Sequence, residues 1–352
     1  MHAGSRGAGL PLTDDRHYRD FDLAHRQITI FLLLVAGTLW LSATGVFAAC
    51  VTTDCHAVLG KAKVVHAPVA AGECDACHQS SGRPHPGNGS MRLVTAGRAL
   101  CLACHDDPAK GLSFVHPPVA DDCTACHNPH QGSHPRLLLQ PGGKLCLMCH
   151  DSVMAGKNVH GPVKALNCSM CHDPHASASP MLTVRPGNDL CLACHPDIGQ
   201  TIAKARSQHE PVAKGRCWEC HAPHASDFPP YLRASYPSEQ YVAYGREQYA
   251  LCFTCHNPNA FEYERTSEAT GFRNRDQNLH YFHVAQMGKG RTCRVCHGVH
   301  GADQPRLIQS RSAHFGKWQI PVYFSQTETG GTCMAGCHRP KSYDLLQRVN
   351  NR

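Results

Sequence analysis

The sequence predicts short α-helices and coil with little or no β-structure, in an extended stack of repeats whose core is not made by side chains. Three observations carry this. The 352 residues include 30 Gly and 24 Pro but only 7% aromatic residues, which favours turns and short helices over long regular elements. All 22 cysteines fall into pairs, each followed at once by histidine. Those pairs recur at a regular spacing, the mark of a modular architecture.

Nine pairs read Cys-X-X-Cys-His: Cys74, Cys77, His78; Cys101, Cys104, His105; Cys123, Cys126, His127; Cys146, Cys149, His150; Cys168, Cys171, His172; Cys191, Cys194, His195; Cys217, Cys220, His221; Cys252, Cys255, His256; and Cys293, Cys296, His297. Two have wider spacers: Cys50, Cys55, His56 and Cys333, Cys337, His338. This is the attachment signature of c-type haem. Two thiols one turn apart reach two vinyl groups on one porphyrin edge, and the next imidazole lies beneath the iron. Zinc sites and disulfide frameworks give no reason for an invariable trailing histidine. The cofactor expected is therefore covalently bound haem c, about eleven per chain, making this a haem-cored fold.

Such attachment takes place outside the cytoplasm, so the chain is expected to be exported. Residues 28–49 form an apolar run after Arg26, ending in Val46-Phe47-Ala48, which suits a cleaved signal peptide. The run is also long enough for a retained anchor. Residues 1–49 are read as this leader, 50–225 as repeated di-haem modules, and 226–352 as a C-terminal haem domain of looser spacing. The formal charge of +7 does not point to nucleic acid. Propionates from about eleven haems outweigh their ferric cores and take the holoprotein to about −4, so Lys and Arg are partners for propionates.

The early repeat holds two motifs. One unit reads Leu145-Cys146, then His160-Gly-Pro-Val163, then His172-Asp-Pro174-His175; its neighbours carry His116-Pro-Pro-Val119 with Pro129-His130, and His209-Glu-Pro-Val212 with Pro223-His224. These paired motifs resemble the doubled Cys-X-X-Cys-His family of multihaem cytochromes. The resemblance implies close-packed haems for long-range electron transfer, often in metal-respiring bacteria, and partners among periplasmic or outer-surface cytochromes, an outer-membrane porin, or further copies in an oligomer or filament. Past residue 225 a Tyr-rich insertion (Tyr231, Tyr236, Tyr241, Tyr244, Tyr249) is expected to pack over haem faces, with a docking surface as the alternative.

Histidine supply matches demand for second axial ligands. One candidate precedes the second motif of each pair (His66, His116, His160, His209, His283), and another follows it (His85, His130, His175, His224, His300). His314 is available to the last haem, leaving His134 and His280 spare. His127 and His130 are three residues apart, a reach of ~10 Å, too short to grip one iron from both faces. His130, His175, His224 and His300 are thus expected to serve neighbouring haems. Met91, Met154, Met181 and Met287 do not recur in register, so the irons are expected to be bis-His, low-spin and of low potential. The expected function is electron transfer without catalysis, in the periplasm, at the outer membrane or outside the cell. A reductase with one open haem and a membrane-anchored quinol-oxidising subunit are the alternatives.

Overall fold

The computed structural model describes residues 50–312 and 317–351. The leader and His314 lie outside them. The described residues divide into two units. One takes the residues up to Ala96 together with Asn128–Leu137; the other takes Gly97–His127 and Leu138 onward.

Helices are short, as expected; among the described residues the longest, Pro196–Lys204, has nine residues. Side chains build almost no core. Ala109, Ala176, Val212, Tyr249, Val284, Val295, Ala302 and Val322 are the buried apolar residues among those described. Three of these are alanines, far from the apolar volume a chain of this length normally encloses.

The expectation of little or no β-structure is corrected. The described residues contain fifteen short strands in small antiparallel sheets. Most are two-residue ladders between segments far apart in sequence. Val64–Val65 pairs with Gln131–Gly132 in the smaller unit. In the larger one, Phe114–Val115 pairs with Ala176–Ser177, Asn158–Val159 with Ala225–Ser226, and Ser207–Gln208 with Gly301–Ala302. A two-residue strand leaves no alternating pattern to read. Its pairing is decided by where the flanking segments are held.

The repeat acquires a local rule. The first motif of a pair ends a short α-helix: Arg98–Leu102, Gly143–Cys146, Gly187–Leu192 or Ala250–Phe253. The second starts a single 3-10 turn: Cys74–Ala76, Cys123–Ala125, Cys168–Met170, Cys217–Glu219 or Cys293–Val295. Between them, His66, His116, His160 and His209 each leave a ladder in extended backbone and cap a helix with Pro in its first turn, where proline's fixed φ is pre-organised.

The C-terminal region departs from this plan. Val322–Gln326, Gly330–Ala335 and Lys341–Asp344 form a three-stranded antiparallel sheet with Cys333 on its central strand. Here the last motif is carried by a strand and the turn after it, rather than by a helical turn. Part of the Tyr-rich insertion packs inward: Tyr249 is 1% exposed and meets the rings of Tyr236, Tyr244 and Phe253 at 5.8–6.0 Å, while Tyr241 is exposed. Tyr236 and Tyr249 lie close enough to Cys293 and Cys252 for the phenols to feel both thiols.

Candidate haem-binding sites

Each standard motif from Cys101 to Cys296 is one helical turn. The His amide donates to the carbonyl of the first Cys at 2.9–3.1 Å, as in His105 to Cys101 and His297 to Cys293. Residues four apart share a helix face, so two sulfurs and an imidazole emerge on one side.

Across from most motif histidines stands a second imidazole. In the smaller unit the ring centroids are 5.9 Å apart for His56 and His85, and 5.8 Å for His78 and His130. In the larger unit they are 6.1 Å for His150 and His116, 6.2 Å for His127 and His175, and 6.2 Å for His195 and His160. They are 5.8 Å for His172 and His224, 6.1 Å for His256 and His209, and 6.2 Å for His221 and His300. Two imidazoles on opposite sides of one metal have centroids ~6.2 Å apart, from two N–metal bonds of ~2.0 Å and ~1.1 Å inside each ring. The residues present therefore fit a metalloporphyrin. Among the described residues no three His, Cys, Asp or Glu side chains converge as a bare-metal site would need.

Four trailing histidines face the second motif of the preceding pair, not the motif three residues before them, whereas His85 faces His56, the first motif of its own pair. His130 faces His78, His175 faces His127, His224 faces His172 and His300 faces His221. The small ladders explain how. In each, the histidine after one strand lies beside the histidine before the other: the amides of His66, His116 and His160 donate to the carbonyls of His130, His175 and His224, all at 2.9 Å. One ladder thus holds two imidazoles that face two different motifs.

The ring nitrogens not aimed across the gap are anchored. Nδ1–H of His66 and of His116 donates to the carbonyls of Pro129 and Pro174 at 2.8 and 3.0 Å, and His209 hydrogen-bonds the Val299 carbonyl. A carbonyl accepts only, so Nδ1 keeps the proton and Nε2 is left as the ligand. Among motif histidines, His172, His221 and His297 donate to the carbonyls of Met181, Pro230 and Arg306 at 2.8–3.2 Å. Those carbonyls sit in turns where Met181, Leu182, Tyr231, Arg306 and Leu307 have φ of 56–61°. Left-handed backbone costs a non-glycine residue ~1–2 kcal/mol, and here it aims a carbonyl at an imidazole. The Pro-X-Leu run at 180–182 and 305–307 was the sequence signal for it.

Burial, then the facing imidazole, lowers the proton affinity of His130, His209, His224 and His300. That keeps the neutral form a metal requires.

The last two motifs were read incompletely from the sequence. His280, left spare there, lies beside His297, and burial with that neighbour pushes it down to about 3. His283 lies near His338. Both belong to a single turn, with Tyr281–Ala285 in a π-helix, so a helical turn here replaces the two-stranded ladder. His134 instead supplies a turn carbonyl to Leu137.

The sulfurs are ordered too. In the smaller unit Cys50 neighbours Cys74. In the larger unit Cys126 neighbours Cys149, Cys146 neighbours Cys168, Cys171 neighbours Cys194, and Cys191 neighbours Cys217. Cys220 then neighbours Cys255, Cys252 neighbours Cys293, and Cys296 neighbours Cys333. From the Cys123 motif to the Cys333 motif, successive motifs are successive neighbours.

The family model for the doubled CXXCH motif matches residues 66–110, 116–155, 160–200 and 209–261. The chain belongs to this family of multihaem c-type cytochromes. No curated protein matches it. In this cytochrome the doubled motif bears covalently bound haem c and marks an electron-transfer protein.

One substitution separates the role of a ladder from that of a ligand. A Cβ on Gly301 would stand 2.6 Å from Ala205 Cβ and 3.4 Å from the Ser207 carbonyl, so Gly301→Val forces the ladder apart at an overpacking cost of ~1–3 kcal/mol. His300 and His209 both leave that ladder. Gly301→Val is expected to disturb two low-spin haem signals, where His300→Ala disturbs one. Electron paramagnetic resonance of the two oxidised variants reads the difference.

Proposed function

We propose that this cytochrome is an electron conduit carrying about eleven bis-His haems. Haem c supplies the reversible one-electron centre; the chain attaches it, orients its imidazoles and sets the neighbour order. The observation that carries the reading is the unbroken neighbour sequence from Cys126 to Cys333, together with a second imidazole opposite nearly every motif histidine. Two imidazoles per iron leave no position for a substrate. The leader reading supports export, with a periplasmic or outer-surface location. The partners are other redox proteins at either end: cytochromes, a porin-bound complex or further copies of the chain. Of the two candidates for the last pair of irons, His280 serves the His297 site and His283 the His338 site.

The test is electron paramagnetic resonance of the oxidised holoprotein with haem quantified in the same sample. Low-spin signals alone, at about eleven haems per chain, are expected. A stoichiometric high-spin signal would replace the conduit by a reductase with an open iron.

A further inference from the structure

Potential in a bis-His haem depends on how strongly the second ring nitrogen is hydrogen-bonded and how well solvent reaches the site. Nδ1 of His66, His116, His172, His221, His283, His297 and His338 rests on a main-chain carbonyl. Two others rest on hydroxyls. His85 contacts Ser90 Oγ at 2.9 Å and His280 contacts Thr270 Oγ1 at 2.8 Å. A hydroxyl is a weaker acceptor than an amide carbonyl, and Thr270 Oγ1 also accepts the Phe272 amide at 3.0 Å. Nδ1 of His280 therefore keeps more of its proton's density, and the ring is a poorer donor to iron.

Surroundings separate the two hydroxyl sites. Cys50, Cys55 and His56, opposite His85, are all exposed, so water stabilises the ferric charge there. His280 instead lies between the rings of Phe261 and Phe272, at 5.0 and 5.2 Å. Within the motif opposite it, Val295 is 3% exposed. A low-dielectric site disfavours the ferric core, which carries one more positive charge than the ferrous core. Weak anchoring and apolar enclosure act in the same direction at the His297 site.

Resting on the conduit reading, we propose that the haem at Cys293 and Cys296 is the first in this chain to accept an electron, and that Thr270 is the positioning residue that sets it there. The electron stays on that iron until a neighbouring haem or an external acceptor takes it.

The test is a reductive potentiometric titration of the holoprotein followed by electron paramagnetic resonance. The signal in question is the one lost in His280→Ala. It is expected to disappear first in the unmodified protein. In Thr270→Val it stays low-spin and disappears earlier still; in Thr270→Asp, which offers a stronger acceptor, it falls back among the others; Thr270→Ser leaves the order unchanged. A purely structural role would move the Val and Asp variants the same way, and that result overturns the assignment, as does a signal reduced mid-titration or last in the unmodified protein. High-spin signals in the unmodified protein would instead count against the conduit reading itself.

Discussion

His175→Ala is expected to open the iron held by His127 and leave the iron held by His172 closed. The three-residue reach from His172 to His175 already argues against a shared iron. The geometry decides for His127: its ring centre is 6.2 Å from that of His175, while His172 faces His224 at 5.8 Å. On the proposed bis-His ligation, alanine would remove one of two strong-field ligands, so one haem per chain should become high-spin and the others stay low-spin. Electron paramagnetic resonance of the oxidised variant measures this directly. Identity is checked by a second change: the high-spin signal should vanish when Cys123 and Cys126 are also replaced by serine, and persist when Cys168 and Cys171 are. The reverse dependence would mean that the ladder between Phe114–Val115 and Ala176–Ser177 does not place His175 where the pairing requires it. The same experiment on His130, His224 and His300 should report on the sites of His78, His172 and His221.

Without its haems the chain should have no cooperative fold. Ordering a residue costs ~1–2 kcal/mol of backbone entropy, and eight buried apolar residues, three of them alanines, return a small fraction of that over three hundred residues. Outside the three-stranded C-terminal sheet the ladders are two or three residues long and the helices are mostly four to six, too short to be stable alone. The imidazole pairs contribute nothing across an empty 6 Å gap. A porphyrin held between each pair of imidazoles would supply apolar area on both faces, with covalent tethers from the cysteines and iron ligation by the histidines. Protein made without haem attachment, with its thiols kept reduced, should show neither a sharp thermal transition by calorimetry nor dispersed amide resonances. A cooperative melt in that sample would show that side chains hold the fold.

The cofactor was legible in the sequence because the motif that binds it is local. Two sulfurs and an imidazole within five residues must share one turn, whatever the rest of the chain does. The recurrence of His-X-Pro-Val and Pro-His in register also marked His116, His160, His209, His130, His175 and His224 as ligands-in-waiting. Proline at the first helical turn and the extended residue before it are short-range effects, so the repeat could be read as structure.

What could not be read was which imidazole meets which motif. His175 and His127 lie 48 positions apart and are brought together by a two-residue ladder with no periodicity of its own. The left-handed turns at Met181 and Arg306 run against local preference, and only the imidazole each carbonyl meets accounts for them. His280 was passed over because the repeat fails near residue 280, where a helical turn takes over from the ladder. Local chemistry, set by residues a turn apart, determined that this protein binds haem and where each haem is tethered. Long-range pairing, decided only when distant segments come together, determined which imidazoles face one another and which motifs are neighbours.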